Sequence, residues 1–321
     1  MDTRILLTGG TGFFGRALLR YFLASGLPLE TSVCVLTRDP HRFHSAHPDL
    51  SSCKQISFLQ ADIEKRESLP WDQKFTHVLH AATDSTIGPL MTPMDRFHQI
   101  LTGTLNILDL TVACGADRFL LTSSGGIYGP QPVDLESIPE DWLGSPPLDD
   151  PLTAYSQAKR AAEHLCTLYR DHYKLKVVIA RCFAFVGQDL PLDAHFAIGN
   201  FIRDALYGDH IFVSGDGTAL RTYLGQGDLA NWLWTLLLLG NDGETYNVGS
   251  DRVISIADLA YLVRDLLSPS KSVQILGDVP LRPNRHRYVP NISKIQRLHG
   301  LAVRENLPQS ILKTAKAHVR H

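Results

Sequence analysis

Cysteine is scarce in this sequence, which has five cysteines among 321 residues and no C-x-x-C pair. The five are scattered, mostly in apolar surroundings, at Cys34, Cys53, Cys114, Cys166 and Cys182. A disulfide framework or a zinc site needs cysteines at short, regular spacings, so we expect neither. The pattern is typical of reduced, buried thiols, and we predict no bound metal.

Long hydrophobic runs and an excess of one charge are also lacking. The first ten residues hold a short apolar run followed at once by glycines, which predicts a buried strand rather than a signal peptide. The longest later apolar run, residues 232–239, is far shorter than the ~20 residues that span a bilayer. The net charge of −2 gives no reason to expect nucleic acid or an anionic membrane as a partner. We therefore predict a soluble, cytoplasmic protein.

What the first half does contain is an alternation of short apolar runs with helical stretches. The nearly continuous apolar character of several runs is typical of a parallel sheet covered on both faces. Strands are predicted at residues 5–7, 32–36, 56–59, 77–80, 118–121 and 176–180, and helices at 13–25, 94–114 and 152–172. The repeated strand–helix–strand order predicts an α/β fold with a doubly wound, Rossmann-like parallel sheet.

After residue 181 this rhythm loosens. Helices are predicted near 196–207, 226–239 and 255–267, with a strand near 211–213. We predict a dinucleotide-binding domain over residues 1–181, with contributions from about 222–248, and a smaller, partly interleaved substrate-binding region over 182–321. The proline-rich stretch 130–151 predicts a long surface loop, of the kind that often covers a site.

A glycine-punctuated loop joins the first strand to the first helix, with the spacing G-x-x-G-x-x-G. Gly9 permits a tight turn, Gly12 lets the backbone approach a pyrophosphate, and Gly15 lets the helix pack close to the strand. The following helix N-terminus offers N–H groups and a positive dipole end to phosphates. The loop, with Phe13 and Phe14, predicts a dinucleotide site.

The end of the second strand bears on the choice of dinucleotide. An NAD site usually has an acid there, whereas a nearby arginine accommodates the 2′-phosphate of NADP. The sequence places Arg38 at this position and Asp39 directly after it. Arg38 favours NADP(H), and NAD(H) stays possible because Asp39 could supply the acid.

Tyr155 and Lys159 are one helical turn apart, so their side chains project from the same face. A neighbouring cation favours a phenolate, so we expect Lys159 to lower the pKa of Tyr155 and make it an acid/base group usable near neutral pH. Ser124, at the end of the fifth strand, can face the same ligand; strand-end serines also serve simply as turn formers.

With the glycine loop, Ser124 and the Tyr155–Lys159 pair in this order, the chain resembles the extended short-chain dehydrogenase/reductase family. These enzymes epimerise, dehydrate, decarboxylate or reduce nucleotide-linked sugars. The resemblance implies a catalytic role for Ser124, Tyr155 and Lys159, with Lys159 also holding the nicotinamide ribose. It implies further cofactor contacts at Asp62, Ile63, Ala81, Ala82 and Thr83. It implies nucleotide-sugar contacts at Asn200, Arg221 and Arg282, although Arg282 could equally belong to a solvated basic face.

His195 begins a predicted substrate-side helix and could meet a sugar hydroxyl, although a lone histidine at a helix start is more often structural. The sequence also departs from the family pattern. Dehydratases of the family carry an Asp-Glu pair directly after the hydroxyl residue, and decarboxylases carry a Glu; here the positions are Gly125 and Gly126. Neither glycine can move a proton, so dehydration and decarboxylation by the usual routes are disfavoured. Ala184 replaces an asparagine that usually touches the substrate diphosphate.

Two reactions stay open. The first is NADPH-dependent reduction of the 4-keto group of a nucleotide-linked 4-keto-6-deoxy sugar, which Arg38 and the missing acids favour. The second is 4-epimerisation with tightly bound NAD. A non-catalytic NADP-binding sensor or scaffold is a third class, but such proteins typically lose the tyrosine or the lysine. The resemblance also implies a homodimer through a four-helix bundle formed by the helices at 94–114 and 152–172.

Overall fold

The computed structural model of the protein describes residues 3–25, 30–83, 91–277 and 286–319. Its strands within these ranges are β1 (Thr3–Thr8), β2 (Thr31–Thr37), β3 (Ile56–Gln60), β4 (His77–His80), β5 (Arg118–Ser124), β6 (Lys176–Cys182), β7 (Phe185–Val186), β8 (His210–Val213), β9 (Leu220–Thr222), β10 (Leu224–Gly225), β11 (Thr245–Val248), β12 (Val253–Ser255), β13 (Ser272–Ile275) and β14 (Arg287–Tyr288). Its helices are α1 (Phe13–Ser25), α2 (Pro40–Ala46), α3 (Pro48–Ser51), α4 (Pro93–Ala113), α5 (Ala154–Tyr173), α6 (Ala197–Tyr207), α7 (Gln226–Leu239), α8 (Ile256–Leu267), α9 (Ser293–His299) and α10 (Leu307–His318).

The main sheet has seven parallel strands in the order β11-β6-β5-β4-β1-β2-β3. Side chains alternate across it, as strand geometry requires. Ile5 and Leu7 of β1 enter a core that also contains Trp232 of α7, while Leu6 enters a second core with Ile107 of α4 and residues of α5. Both faces are therefore covered by helices, which confirms the predicted doubly wound α/β fold.

The six predicted strands and the three helices of the first half are all present. The short helices α2 and α3 were not predicted. Proline is favoured in the first helical turn, where its missing N–H is not needed, and both helices begin on it. Strand β11 brings a later segment into the main sheet, and the domain division at residue 181 stays a prediction.

The second part of the chain has its own core, formed by α6, α8, α10 and strand β8. Strands β12, β9 and β14 form a small sheet in which β14 runs parallel to β9. Arg221 and Tyr288 are register partners in this pairing. Two residues far apart in the chain therefore lie side by side in this small sheet.

The proline-rich loop 130–151 does not contribute to the wall of the main cavity, contrary to the expectation that it covers the site. Its backbone pairs instead with the segment after β14. The Ile138 N–H donates to the Val289 carbonyl oxygen at 2.8 Å, and the Asn291 N–H donates to the Ile138 carbonyl oxygen at 2.9 Å. The loop thus braces the C-terminal segment that carries Tyr288.

No helix in the described part of the chain is both long and apolar enough to cross a membrane. The same residues contain no cluster of three or more His, Cys, Asp or Glu side chains that could hold a metal ion. The five cysteines are free thiols, and four of them are buried.

Candidate active site

A cavity of about 800 Å³ lies where the carboxyl ends of the central strands meet the second part of the chain. Ligands of open α/β sheets bind at this edge. Its wall includes sixteen of the predicted site residues, namely Gly9, Gly12, Phe13, Phe14, Arg38, Asp62, Ile63, Ala81, Ala82, Thr83, Ser124, Tyr155, Lys159, His195, Asn200 and Arg221. Gly15 is not part of the wall, and Arg282 lies outside the described residues.

The glycine loop connects β1 to α1, and side chains at two of its glycines would clash with neighbouring backbone. Gly9 has a φ of 72°, and a Cβ there would lie 2.5 Å from the Ala81 carbonyl oxygen, so this position needs glycine. A Cβ at Gly15 would lie 2.2 Å from the Gly10 backbone, which explains how α1 can begin so close to the turn. A Cβ at Gly12 would meet the Gly9 oxygen at 3.5 Å, so the backbone of Gly12 is open to a ligand in the cavity.

Arg38 and Asp39 follow β2 directly, and their side chains have different surroundings. Arg38 lines the cavity, and its carbonyl oxygen accepts a hydrogen bond from Gln60 Nε2 at 3.2 Å. Asp39 is the N-cap of α2, and its Oδ1 accepts from the Arg42 N–H at 2.9 Å. A capping carboxylate satisfies one of the unpaired N–H groups of the helix start. Asp39 therefore stabilises the start of α2. Of these two charged residues, Arg38 is the one that lines the cavity.

Ser124 and Tyr155 meet at the floor of the cavity. Ser124 ends β5, and its Oγ accepts a hydrogen bond from the Gly126 N–H at 3.0 Å. Tyr155 lines the same part of the cavity. Burial raises the pKa of Tyr155 to about 12, because the phenolate would be poorly solvated there. The expectation that Lys159 lowers this pKa was wrong for the protein by itself, and Tyr155 is a neutral phenol at pH 7.

Lys159 makes its hydrogen bonds to groups other than Tyr155. Its Nζ donates to Thr83 Oγ1 and to the Thr122 carbonyl oxygen, both at 2.9 Å, and lies 5.9 Å from the centre of the Tyr155 ring. Burial lowers the pKa of Lys159 to about 8, because an ammonium ion loses hydration there. The lysine therefore ties α5 to the ends of β4 and β5.

The predicted substrate-side residues lie on the opposite wall. The His195 ring packs on Phe196 with ring centres 4.3 Å apart, at the start of α6. Asn200, one turn into α6, accepts a hydrogen bond from Arg203 Nη1 at 3.2 Å through its Oδ1. That contact fixes the amide and leaves its NH₂ group on the other side.

Arg221 enters the same wall from β9. Its Nη1 donates to the carbonyl oxygens of Leu220 and His286, both at 2.9 Å. These contacts hold the guanidinium in one orientation while it keeps further N–H donors. Arg221 thereby couples β9 to the segment that leads into β14.

The two glycines after Ser124 have no room for side chains. A Cβ at Gly125 would lie 2.7 Å from both Phe183 Cζ and the Tyr288 hydroxyl oxygen. A Cβ at Gly126 would lie 2.6 Å from Ser156 Oγ. An acid cannot be placed at either position without moving these groups, so the absence of acids there is built into the packing.

A family model described as the NAD-dependent epimerase/dehydratase family matches residues 5–249. The chain belongs to this family. This confirms the resemblance to the extended short-chain dehydrogenases/reductases and the prediction that the protein is an enzyme. A relative in this family is UDP-glucuronic acid decarboxylase 5 from Arabidopsis thaliana, which is 27% identical over 314 residues, or 96% of this chain and 88% of the relative.

Solved structures of the family share the fold. DesIV, a dTDP-glucose 4,6-dehydratase from Streptomyces venezuelae with NAD and TYD bound, has a TM-score of 0.83 and 23% identity, covering 98% of this chain and 96% of that one. RMD from Pseudomonas aeruginosa, complexed with NADPH, has a TM-score of 0.79 and 24% identity, covering 98% of both chains. The TM-scores show that this chain has the same fold as these two proteins. At identities below 25%, the likeness shows the fold alone.

A buried network holds helix α5, which carries Tyr155 and Lys159, against the sheet. Glu163, one turn beyond Lys159, accepts hydrogen bonds from Ser123 Oγ and from Arg181, whose Nη2 lies 2.8 Å from Glu163 Oε2. Arg181 Nη1 also donates to the Tyr128 hydroxyl at 2.8 Å. Breaking a buried ion pair leaves an uncompensated charge, so this network fixes α5 relative to the end of β5.

His80 forms a second buried network next to the end of β1. Its Nδ1 lies 2.7 Å from Thr8 Oγ1 and its Nε2 lies 3.3 Å from Thr104 Oγ1. Thr8 Oγ1 also accepts from the Ala82 N–H at 3.2 Å. Complete burial, with Lys159 nearby, lowers the pKa of His80 from 6.5 to about 3. His80 is therefore neutral in the folded protein throughout the neutral range.

This shift predicts an acid-sensitive fold. Below the ordinary pKa of 6.5 the unfolded chain binds a proton at His80 that the folded protein does not, so stability falls with pH down to about 3. Between pH 7 and pH 5 we expect the free energy of unfolding to fall by about 2 kcal/mol more in the wild type than in His80→Asn. Denaturant titrations at the two pH values measure this. His41→Asn, at an exposed position of α2, should keep the wild-type pH dependence; equal pH dependence in wild type and His80→Asn would contradict the prediction.

Sequence reasoning missed Tyr288. It lines the cavity, its hydroxyl oxygen lies 2.7 Å from the position of a Cβ at Gly125, and its ring packs on Phe183 with centres 4.6 Å apart. It lies in a strand of two residues far from the other motifs in the chain. The sequence signal that could have indicated it is Gly125. A glycine directly after a candidate site serine leaves room for a side chain from a distant part of the chain.

Proposed function

We propose that the protein reduces the 4-keto group of a nucleotide-linked 4-keto-6-deoxy sugar with NADPH. The observation that carries the proposal is the packing at Gly125, where Phe183 and the Tyr288 hydroxyl leave no space for an acid. Dehydration and decarboxylation need a further proton-transfer group beside the site serine. Hydride chemistry at a single carbon needs only one acid or base, which Tyr155 can supply.

The cavity fits a dinucleotide. Gly12 has an open backbone, Arg38 lies where an adenosine ribose would end, and Asp62 and Ile63 line the wall between them and the sheet. Lys159 would hold the nicotinamide ribose, with Thr83 beside it. Arg38 supports NADP(H) over NAD(H), because a guanidinium pairs with a phosphate through two parallel hydrogen bonds.

The protonation state of Tyr155 supports the direction of reaction. When bound, NADPH supplies the hydride that reduces the ketone carbon. The ketone oxygen gains negative charge as it becomes an alkoxide, and a neutral phenol within hydrogen-bond reach can give it a proton. Burial keeps Tyr155 in this form. Ser124 would hydrogen-bond the same substrate oxygen, and Lys159 provides positive charge on the same helix face.

We propose that the opposite wall binds the nucleotide part of the substrate. Arg221 would pair with the diphosphate, Asn200 would donate its amide to it, and His195 would meet a sugar hydroxyl at the rim. Arg282, outside the described residues, is proposed as a second diphosphate contact. A nucleotide-sugar substrate is consistent with the decarboxylase relative, whose name specifies UDP-glucuronic acid. We also propose a cytoplasmic location.

The decisive experiment is to denature the purified protein and quantify the released dinucleotide. We expect an empty protein that binds NADPH more tightly than NADH and then oxidises NADPH in the presence of a 4-ketosugar nucleotide. Near-stoichiometric NAD would instead identify a 4-epimerase that retains its cofactor. Binding without turnover across a panel of such ketosugars would point to a sensor, although Tyr155 and Lys159 are both in place.

We also propose a homodimer through α4 and α5. These helices pack on each other, and their outer faces expose apolar side chains, including Leu105 and Leu168. A double variant with Leu105→Glu and Leu168→Glu would bury charges in the proposed four-helix bundle, so the dissociation constant should rise by about 100-fold or more. Sedimentation equilibrium measures this. Leu239→Glu, on the exposed end of α7, is the control; a double variant that remains as dimeric as the control would contradict the proposal.

A further inference from the structure

The backbone just beyond β4 is tied to Thr8, the last residue of β1. The Ala82 N–H donates to Thr8 Oγ1 at 3.2 Å, and the Ala81 N–H donates to the Thr8 carbonyl oxygen, also at 3.2 Å. Thr8 directly precedes Gly9 of the glycine loop, and Gly9, Ala81 and Ala82 all line the cavity. Thr8 therefore fixes the position of the end of β4 relative to the glycine loop.

The Thr8 hydroxyl has a second partner in the ring of His80. Thr8 Oγ1 lies 2.7 Å from His80 Nδ1, and His80 Nε2 lies 3.3 Å from Thr104 Oγ1. A separation of about 2.7 Å is usual for a hydroxyl donor and is the short limit for an N–H donor. The ring is neutral, because burial lowers the pKa of His80 to about 3. The distances thus assign Nδ1 as the acceptor of the Thr8 proton and place the proton of the ring on Nε2.

From these contacts we infer that His80 is a positioning residue for the dinucleotide. Its Nδ1 takes the hydroxyl proton of Thr8, which leaves a lone pair of Thr8 Oγ1 directed at the Ala82 N–H. The wall at Ala82 is thereby fixed against the glycine loop before a ligand binds. The inference rests on the proposed function only through dinucleotide binding, and it is independent of the sugar that is reduced.

The same network of hydrogen bonds reaches Lys159 by two routes. In the first, Thr83 Oγ1 accepts from Lys159 Nζ at 2.9 Å and donates to the Ala82 carbonyl oxygen at 2.8 Å. In the second, Lys159 Nζ donates to the Thr122 carbonyl oxygen at 2.9 Å, and Thr122 Oγ1 donates to the His80 carbonyl oxygen at 3.2 Å. Buried hydrogen bonds in such networks reinforce one another. We therefore expect a loss of the acceptor at Nδ1 to affect both the wall at Ala82 and the orientation of the lysine.

The first test needs no ligand and measures hydrogen exchange of the Ala82 amide by NMR, in protein labelled with nitrogen-15 alanine. His80→Gln keeps a polar group near the position of Nε2 and has none at Nδ1. His80→Asn keeps an amide oxygen near Nδ1 but leaves a larger gap. We expect the Ala82 amide to exchange about tenfold faster in His80→Gln and to stay within about threefold of the wild type in His80→Asn. A role in packing alone predicts the opposite order, because asparagine removes more volume than glutamine.

Thr8→Val removes the hydroxyl and keeps the branched shape, so it should speed the exchange at least as much as His80→Gln. Combining the two changes should have no further effect, because His80 acts through Thr8. The control is Thr111→Val, which removes a buried hydroxyl that donates to the Ile107 carbonyl oxygen outside the cavity wall; it should keep wild-type exchange. The inference is overturned by wild-type exchange in His80→Gln, by faster exchange in His80→Asn than in His80→Gln, or by additive effects. A ring proton found on Nδ1 by nitrogen NMR would overturn it as well.

The second test measures the dissociation constants of NADPH and NADH by fluorescence titration. His80→Gln should weaken both by about tenfold, because the network holds parts of the wall that either dinucleotide meets, and His80→Asn should weaken both by about threefold or less. If the wild type binds neither dinucleotide while the exchange responds as described, the hydrogen bonds stand, but the proposed function fails and the role of His80 in cofactor binding fails with it. If the wild type reduces ketosugars with NADPH and His80→Gln binds both dinucleotides as tightly, the proposed function stands and the inference is overturned.

Discussion

Tyr155→Phe is expected to lower kcat for ketosugar reduction by about 10² to 10⁴-fold while the dissociation constant for NADPH stays within twofold of the wild type. Loss of a positioned general acid typically has this size of effect. The phenylalanine ring keeps the packing, and Lys159 keeps its bonds to Thr83 and Thr122. Steady-state kinetics and fluorescence titration with NADPH make the comparison.

A control for this variant is Tyr21→Phe, which removes the hydroxyl that donates to Asn231 Oδ1 at 2.8 Å, outside the cavity wall. It should keep wild-type kinetics. A loss of less than tenfold in Tyr155→Phe would show that another group delivers the proton.

Arg38→Ala is expected to weaken NADPH binding by about 10- to 100-fold and to leave NADH binding almost unchanged. The lost interaction is a charge-assisted hydrogen bond to the 2′-phosphate, which NADH lacks. Asp39 should not take over selectivity for NADH, because its carboxylate caps α2 through the Arg42 N–H. Fluorescence titrations with both dinucleotides give the ratio of the two dissociation constants.

Arg42→Ala is the matched control for Arg38→Ala, because it removes a cation one turn further on that does not line the cavity. Its ratio of dissociation constants should equal that of the wild type. Equal weakening of NADPH and NADH in Arg38→Ala would mean that the arginine supports the loop rather than the phosphate. No change with either dinucleotide would remove the main support for an NADP(H) enzyme.

Much of the main sheet could be predicted because its strands are buried on both faces. Such strands read as continuous apolar runs, as Val33 to Leu36 does, and the helices between them show their period clearly. Strand β11 was not recognised as a strand because Thr245–Val248 is short and includes a polar asparagine, Asn247. That asparagine is buried by partners from three other segments, the residues Tyr128, Ile138 and Asn291, which no local pattern reveals.

The candidate site could be predicted where motifs are local and could not where it depends on distant contacts. The glycine loop and the Tyr155–Lys159 pair are each contiguous, and their combination with Ser124 in this order carried the resemblance that identified them. The protonation state of Tyr155 was predicted in the wrong direction, because the spacing shows a nearby lysine and does not show how deeply the phenol is buried. Tyr288 was missed because its position beside Gly125 depends on strand pairing with β9 and on bracing by residues 130–151.

The bracing of Tyr288 by the proline-rich loop also bears on the order in which the cavity can assemble during synthesis. Six strands of the main sheet lie within residues 3–182, and chains generally fold from the N-terminus as they leave the ribosome. A growing chain can thus form the glycine loop and the sheet edge around it long before residue 288 has been made. The part of the cavity wall that Tyr288 lines is completed only when the last segment pairs with β9 and with Ile138. A chain that ended before β14 would lack this part of the wall.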